Sequence, residues 1–420
     1  MILSCYTKKI ELARKLDSCL ASMEGEIEFV CHEDIDIFLL HLYYDMPEYT
    51  IIDLDDANVA KSNLLQELAS DVWLQNIGVF GVQQESGENL DSSTPIFTIL
   101  TYVDLERTLP KLLTVFNKYQ NLLFRSGIFH DLSKKGTFVI ENDPIYMQAY
   151  SEILANSLYK RNLIGTEKKY SLNFALVEML VNAVEHGNCG ISAEEKQKCL
   201  EEGRAIHELI EERNRDPEIA RKKVWLEYEF SITKAIFKIR DEGEGFDISK
   251  IYDKKNLEQG MSGRGILFTK HMMESMSYNE KGNEVTFTID YDQTSTSNIP
   301  QGLENSQTID VKAGDVLFRE GDSSNTLYYI VSGEFEVSTK KNVVNILNSS
   351  DIFLGEMAYL LGNRRTATAT ALTDGSVIAI DVHEWVDVVK KYPYYAVFLA
   401  KLLAKKLDKL SNSVASTIVG

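Results

Sequence analysis

The chain has 420 residues, 44% of them hydrophobic, with 44 Lys and Arg against 63 Asp and Glu for a formal net charge of −19. That length holds two or three domains with separate cores, and the acidic balance excludes a protein that grips the nucleic-acid phosphate backbone. Cys5, Cys19, Cys31, Cys189 and Cys199 form no C-x-x-C pair, and there is no signal peptide or long uncharged stretch, so a disulfide framework, a zinc site and a membrane span are not expected and a cytoplasmic location is.

Ile2 to Tyr6, Ile27 to Cys31, Tyr49 to Leu54, Ile77 to Val82 and Pro95 to Thr101 are apolar runs separated by amphipathic segments such as Lys8 to Met23. Buried strands alternating with helices predict a doubly wound parallel sheet. Five strands at this length resemble a response-regulator receiver. That resemblance implies acids after the first strand, an acceptor aspartate at the end of the third and a lysine after the fifth. Asp53 and Asp55 stand near the acceptor position, but the first strand ends Ser4, Cys5, Tyr6, Thr7 and the fifth runs from Phe97 to Tyr102 without a lysine. The expectation for residues 1–124 is therefore a degenerate receiver-like partner or dimerisation domain, with Leu105 to Phe124 as the helix that leaves it.

The block 136–292 opens with a strand at Thr137 to Glu141. On the helix Leu172 to Glu185, the residues Leu172, Leu176, Met179, Leu180 and Ala183 make an apolar face, while Glu178, Asn182 and Glu185 form a polar stripe. A carboxylate and an amide one turn apart suit a base and a magnesium ligand. Val224 to Ile232 and Ala235 to Ile239 alternate as strands and run into Asp241, Gly243 and Gly245, a loop that lets a ligand approach the backbone. Gly263, Arg264 and Gly265 precede a helical run whose amides suit phosphates, and Val285 to Ile289 closes the block as a strand.

This order of motifs resembles the GHKL ATPases. Within them, Glu178, Asn182, Ala183, His186 and Gly187 look most like the anti-sigma-factor serine kinases. The resemblance implies Glu178 as the base for a serine hydroxyl, Asn182 as the Mg2+ ligand and Asp241 as the reader of the adenine amino group. Gly243 and Gly245 would shape the adenine loop, Gly263 and Gly265 the lid over the phosphates with Arg264 as a phosphate contact, and Thr286 would support the adenine end. His186 packs or caps the helix. The acidic stretch from Cys189 to Lys223 is expected to be a solvated insertion. A histidine-kinase box at Phe129 to Leu132 is excluded, because a strand follows almost at once where a long helical hairpin is required.

After a polar linker around 292–306, short strands with glycine corners at Gly314, Gly321 and Gly333 predict an all-β jelly roll. A cupin or another binding roll fits this alone. Phe353 to Thr368 then places Glu356 in the first turn of a short helix after Gly355, with Arg365 nine residues beyond. Helix-start amides and a guanidinium can neutralise a phosphate while the carboxylate accepts from a hydroxyl. The stretch resembles the phosphate-binding cassette of cyclic-nucleotide-binding domains. The resemblance assigns Glu356 to the ribose hydroxyl, Arg365 to the cyclic phosphate, the backbone of Gly355, Met357 and Ala358 to amide contacts, and Thr366 to phosphate or a guanine amino group. Trp385 to Leu410 would supply the C-terminal helices.

The expected architecture is multidomain: an α/β receiver-like sheet over 1–124, an α+β GHKL (Bergerat) ATP-binding sandwich over 136–292, and an all-β cyclic-nucleotide-binding jelly roll with C-terminal helices over 305–420. The combined resemblances imply an ATP-dependent protein serine/threonine kinase of the anti-sigma-factor type. Its cofactors would be ATP, Mg2+ and a cyclic nucleotide, cAMP or cGMP, and its substrate a small regulatory protein such as an anti-anti-sigma-type domain. A homodimer is expected, with no nucleic-acid or membrane partner. A non-catalytic ATP-binding scaffold and an acceptor-free ATPase are the alternatives the residues leave open.

Overall fold

The computed structural model describes residues 1–404 apart from 22, 24, 72, 85–94, 120–134, 162, 232, 248–263, 293–298, 341–342 and 363. The Phe129 to Leu132 box, Gly263, part of the linker and the end of the C-terminal helices lie outside these residues.

The N-terminal region contains β1 (Ile2–Tyr6), α1 (Ile10–Ala21), β2 (Glu28–His32), α2 (Ile35–Asp45), β3 (Tyr49–Asp53), α3 (Ala57–Lys61), α4 (Leu64–Ser70), β4 (Gly78–Gln83), β5 (Ile96–Thr101) and α5 (Leu105–Lys118). All strands run parallel in the order β2-β1-β3-β4-β5, a doubly wound order. Strand alternation sends Cys5, Ile51 and Phe80 towards α1 and α5, and Tyr6, Ile52 and Val79 towards α2 and α4. Both faces are covered over β1, β3 and β4, whose residues are nearly all buried, whereas the edge strand β2 stays partly exposed.

Asp53 ends β3 with 1% of its surface exposed. The Thr7 hydroxyl donates to it at 2.8 Å, and Lys9, just after β1, places Nζ 3.1 Å from Asp53 and 3.0 Å from Asp55. A lysine ammonium thus stands among the acids at this end of the sheet.

The central region contains β6 (Lys135–Ile140), α6 (Pro144–Lys160), α7 (Thr166–Asn182), α8 (Ala193–Glu201), α9 (Ile206–Arg213), α10 (Pro217–Arg221), β7 (Val224–Phe230), β8 (Lys234–Arg240), α11 (Arg264–Met272), β9 (Ser275–Tyr278) and β10 (Glu284–Asp290). Its strands pair antiparallel in the order β6-β7-β8-β10-β9. Leu226, Phe237 and Phe287 pack under α6 and α7, while residues such as Glu227 and Lys238 occupy the wetter face.

One expectation is corrected. The helix bearing Glu178 ends its α-helical part at Asn182 and continues as a π-helical turn over Ala183–Asn188. The insertion forms three short, largely exposed helices; α8 buries Cys199 and α9 buries Ile210, and Arg107 of α5 pairs with Glu211 of α9 at 2.8 Å. Its acids dominate the composition, but a few inward side chains decide how it packs.

The C-terminal region contains β11 (Gln307–Val311), β12 (Val316–Phe318), β13 (Thr326–Ser332), β14 (Phe335–Ser338), β15 (Val343–Leu347), β16 (Phe353–Leu354), α12 (Glu356–Leu361), β17 (Thr368–Ala371), β18 (Gly375–Asp381) and α13 (Val382–Lys391), followed by a helix over 394–404. Two four-stranded antiparallel sheets, β11-β18-β13-β16 and β12-β17-β14-β15, make the roll. One core of this region also contains Trp73, from the segment after α4. No helix among the described residues is long and apolar enough to cross a membrane.

Candidate functional site

The Asp241 end of the central site is built by close backbone approach. A Cβ on Gly187 would overlap the Asp241 carboxyl group, and one on Gly243 would overlap the Gly187 carbonyl. Gly245 has φ +77°, and a Cβ there would strike the Lys281 carbonyl, so geometry and sterics both require glycine. The Gly243 amide donates to Asp241 Oδ1 at 2.8 Å. Burial pushes the Asp241 carboxyl above its ordinary range, against the pull of the Gly243 amide, Lys281 and Lys222.

Several residues outside the sequence motifs hold this loop. Asn283 Nδ2 donates to the Asp241 carbonyl at 2.9 Å, and the Asp241 amide donates to the Asn283 carbonyl at 3.0 Å. Lys281 Nζ donates to the Gly243 carbonyl at 2.8 Å. Asn188 accepts from the Glu242 amide at 2.8 Å and donates to Asn142 Oδ1 at 2.8 Å; Asn142 in turn reaches the insertion at the Ile219 carbonyl. The signal for Asn283 was its glycine-asparagine turn before the last strand. Asn188 had only its place after Gly187.

At the other end, Glu178 and Asn182 lie one turn apart on α7, both half-buried. The Glu178 carboxylate faces the first turn of α11, where a Cβ on Gly265 would overlap Oε2. A helix start is favourable for negative charge. Glu185 of the same stripe is diverted: it is buried and paired with Lys196 at 2.7 Å. His186 is exposed and its Nδ1 lies 2.6 Å from the Ile191 carbonyl, an end-of-helix contact. The Arg264 side chain lies outside the description.

Thr286 is not brought to this site. Val285, Phe287 and Ile289 point into the core under the helices, so Thr286, opposite Lys238, takes the other face of the sheet. Asn283 stands beside Asp241 in its place.

In the C-terminal pocket the charged groups are buried, Glu356 at 8% and Arg365 at 4% exposure. Gly355 has φ +81° and caps α12; a Cβ there would overlap the Arg365 guanidinium. Arg365 donates to the carbonyls of Gly355, at 3.0 Å, and Thr326, and stacks over Phe318 with its guanidinium carbon 4.2 Å from the ring centroid. Burial draws its pKa below the ordinary guanidinium range. Glu356 and Ala358 are buried at the start of α12, whereas Met357 and Thr366 are exposed.

Residues 140–289 match the histidine kinase-like ATPase domain family, and residues 308–392 match the cyclic nucleotide-binding domain family. The chain is 27% identical over 117 residues to the CRP-like cAMP-activated global transcriptional regulator of Mycobacterium tuberculosis, covering 27% of this chain and 52% of that protein. It is 34% identical over 113 residues to the cAMP-dependent protein kinase regulatory subunit of Schizosaccharomyces pombe, covering 27% of this chain and 26% of that protein. The catabolite activator protein of Thermus thermophilus is 24% identical, with a TM-score of 0.26 over 28% of this chain and 56% of that one. The chain spans about half the length of the first of these relatives, or less. Behind its parallel N-terminal sheet, the protein thus joins a histidine kinase-like ATPase domain to a cyclic nucleotide-binding domain.

Proposed function

We propose that the protein is a cyclic-nucleotide-regulated serine kinase of the anti-sigma-factor type, acting on a small regulatory protein. The observation that carries the kinase reading is the Glu178 carboxylate, set against the helix start at Gly265 and one turn from Asn182. Asp241 receives the adenine amino group. The acceptor serine oxygen forms a bond to the γ-phosphorus as the bond from that phosphorus to the ADP oxygen breaks; the hydroxyl proton passes to Glu178.

Among the described residues no cluster of three or more His, Cys, Asp or Glu side chains is arranged to hold a metal. The half-buried Asn182, one turn from Glu178, would give a magnesium ion one amide oxygen, with its remaining ligands from phosphates and water. When bound, the ion neutralises charge on the phosphates.

In the C-terminal domain, Arg365 takes the cyclic phosphate and Glu356 the ribose hydroxyl. The two relatives named above are described by cAMP, which makes it the first ligand to titrate.

The test is phosphotransfer from radiolabelled ATP to candidate anti-anti-sigma-type domains, with and without cAMP or cGMP, for the wild type and Glu178→Gln. Phosphoserine formed by the wild type and reduced about 10²–10⁴-fold in the variant, with ATP binding retained, is the expected result. ATP binding without phosphotransfer by the wild type would leave the scaffold reading in its place.

A further inference from the structure

We infer that Trp73, from the N-terminal domain, is a positioning residue for the cyclic-nucleotide pocket. This rests on the reading of Glu356 and Arg365 given above. Trp73 is 2% exposed and lies within the core of the C-terminal domain. Its ring centroid is 5.8 Å from that of Phe353, 6.4 Å from Tyr329 and 4.2 Å from Phe398.

Phe353 and Tyr329 are register partners on β16 and β13, and these two strands also hold the pocket's charged groups. Gly355, two residues after Phe353, and Thr326, at the head of β13, are the residues whose carbonyls accept from Arg365. Glu356 follows Gly355 directly. Trp73 is therefore packed on the aromatic pair of the strands whose ends place both the phosphate-side arginine and the ribose-side carboxylate. A shift of the Phe353 ring is transmitted through two residues, one of them a glycine fixed at φ +81°.

The indole is itself anchored from the N-terminal side. The Trp73 amide donates to Asp71 Oδ1 at 2.8 Å, and the buried Asp71 accepts from the Tyr394 hydroxyl at 2.6 Å. Tyr394 stacks near Tyr43 of α2 at 4.2 Å between centroids, and Lys401 Nζ donates to the carbonyls of Tyr44 and Asp45 at the end of the same helix. The N-terminal domain thus grips the C-terminal helices and the back of the pocket at once. Coupling of this kind is reciprocal: nucleotide in the pocket changes how tightly the N-terminal domain is held.

The experiment uses the full chain as wild type, Trp73→Ala, Trp73→Phe and Tyr394→Phe, with calorimetric titration of cAMP and cGMP. Hydrogen exchange of the amides over 353–361 is measured in parallel without nucleotide. The expected result is about tenfold weaker binding and faster exchange in Trp73→Ala, with most of both restored by Trp73→Phe, because a ring on Phe353 remains. Wild-type affinity together with wild-type exchange in Trp73→Ala overturns the inference.

If the wild type binds neither nucleotide, the reading of the pocket fails. The exchange arm still decides the positioning role: faster exchange supports it and unchanged exchange overturns it. If Trp73→Ala does not fold, Tyr394→Phe, which keeps the ring and removes the hydroxyl that meets Asp71 and Tyr43, replaces it under the same two outcomes.

Discussion

The two nucleotide-directed regions are organised differently. In the C-terminal pocket, Arg365 and Glu356 are almost fully buried, and the guanidinium is held by two backbone carbonyls and an aromatic ring. In the central region the Asp241 loop is tightly tied, but Glu178 and Asn182 remain half-buried on one helix. The guanidinium is thus oriented by the fold itself, whereas the Glu178 carboxylate keeps part of its surface open to solvent.

Three perturbations test this contrast, the largest first. Arg365→Ala removes the buried cation and leaves Glu356 facing the pocket; cyclic-nucleotide affinity should fall by about 10²–10³-fold, equal to about 3–4 kcal/mol. Calorimetry checks it, and a loss under tenfold would mean that the pocket does not depend on its arginine. ATP binding at the central site should be unchanged.

Gly187→Ala forces a methyl group into the Asp241 carboxyl. Overpacking of this kind costs about 1–3 kcal/mol, so ATP affinity should fall by roughly tenfold or more while cyclic-nucleotide affinity holds. Equal affinity for ATP in wild type and variant would break the claim that the adenine end is rigid.

The smallest effect concerns a buried acid behind the site. Glu152 of α6 accepts from Asn156 at 2.7 Å and from Asn173 of α7 at 2.6 Å, and burial pushes its carboxyl up to about 7 despite the pull of Lys169. A carboxyl raised on folding contributes stability that is complete below its unfolded pKa and is lost as pH rises through the folded value. Unfolding temperature should therefore decline as pH rises from about 4.5 through about 7, and Glu152→Gln should flatten that decline by a few degrees. Parallel melting curves for wild type and variant across that range would expose any error in the sign.

Much of the fold was legible in local pattern. The five apolar runs of the N-terminal sheet matched their strands to within a residue or two, because the inner strands are buried on both faces and so are mostly apolar. Gly243 and Gly245 were legible as a loop of close approach, and a Cβ on either would strike a neighbouring carbonyl; Gly187 and Gly355, read only as helix-end glycines, are as crowded. Thr286 was not read correctly, although the alternation of Val285, Phe287 and Ile289 already placed it on the opposite face. Asn283 and Asn188 carried little signal, since a loop asparagine looks alike whether it meets water or the carbonyl of a binding loop.

By itself the sequence determined the fold classes met in turn along the chain, a parallel α/β sheet, an antiparallel sheet with helices and a β-rich roll, because these follow from residue periodicity and backbone freedom over a few neighbours. Tertiary structure alone decided that Asn283 stands beside Asp241, that Asn142 and Asn188 tie the insertion to the Glu242 amide, that Lys9 sits among the acids at Asp53, and that Trp73 enters a core of the C-terminal region. The physical reason is the same in each case: these contacts join residues far apart in the chain, and their stability depends on which surfaces the packed elements bring together.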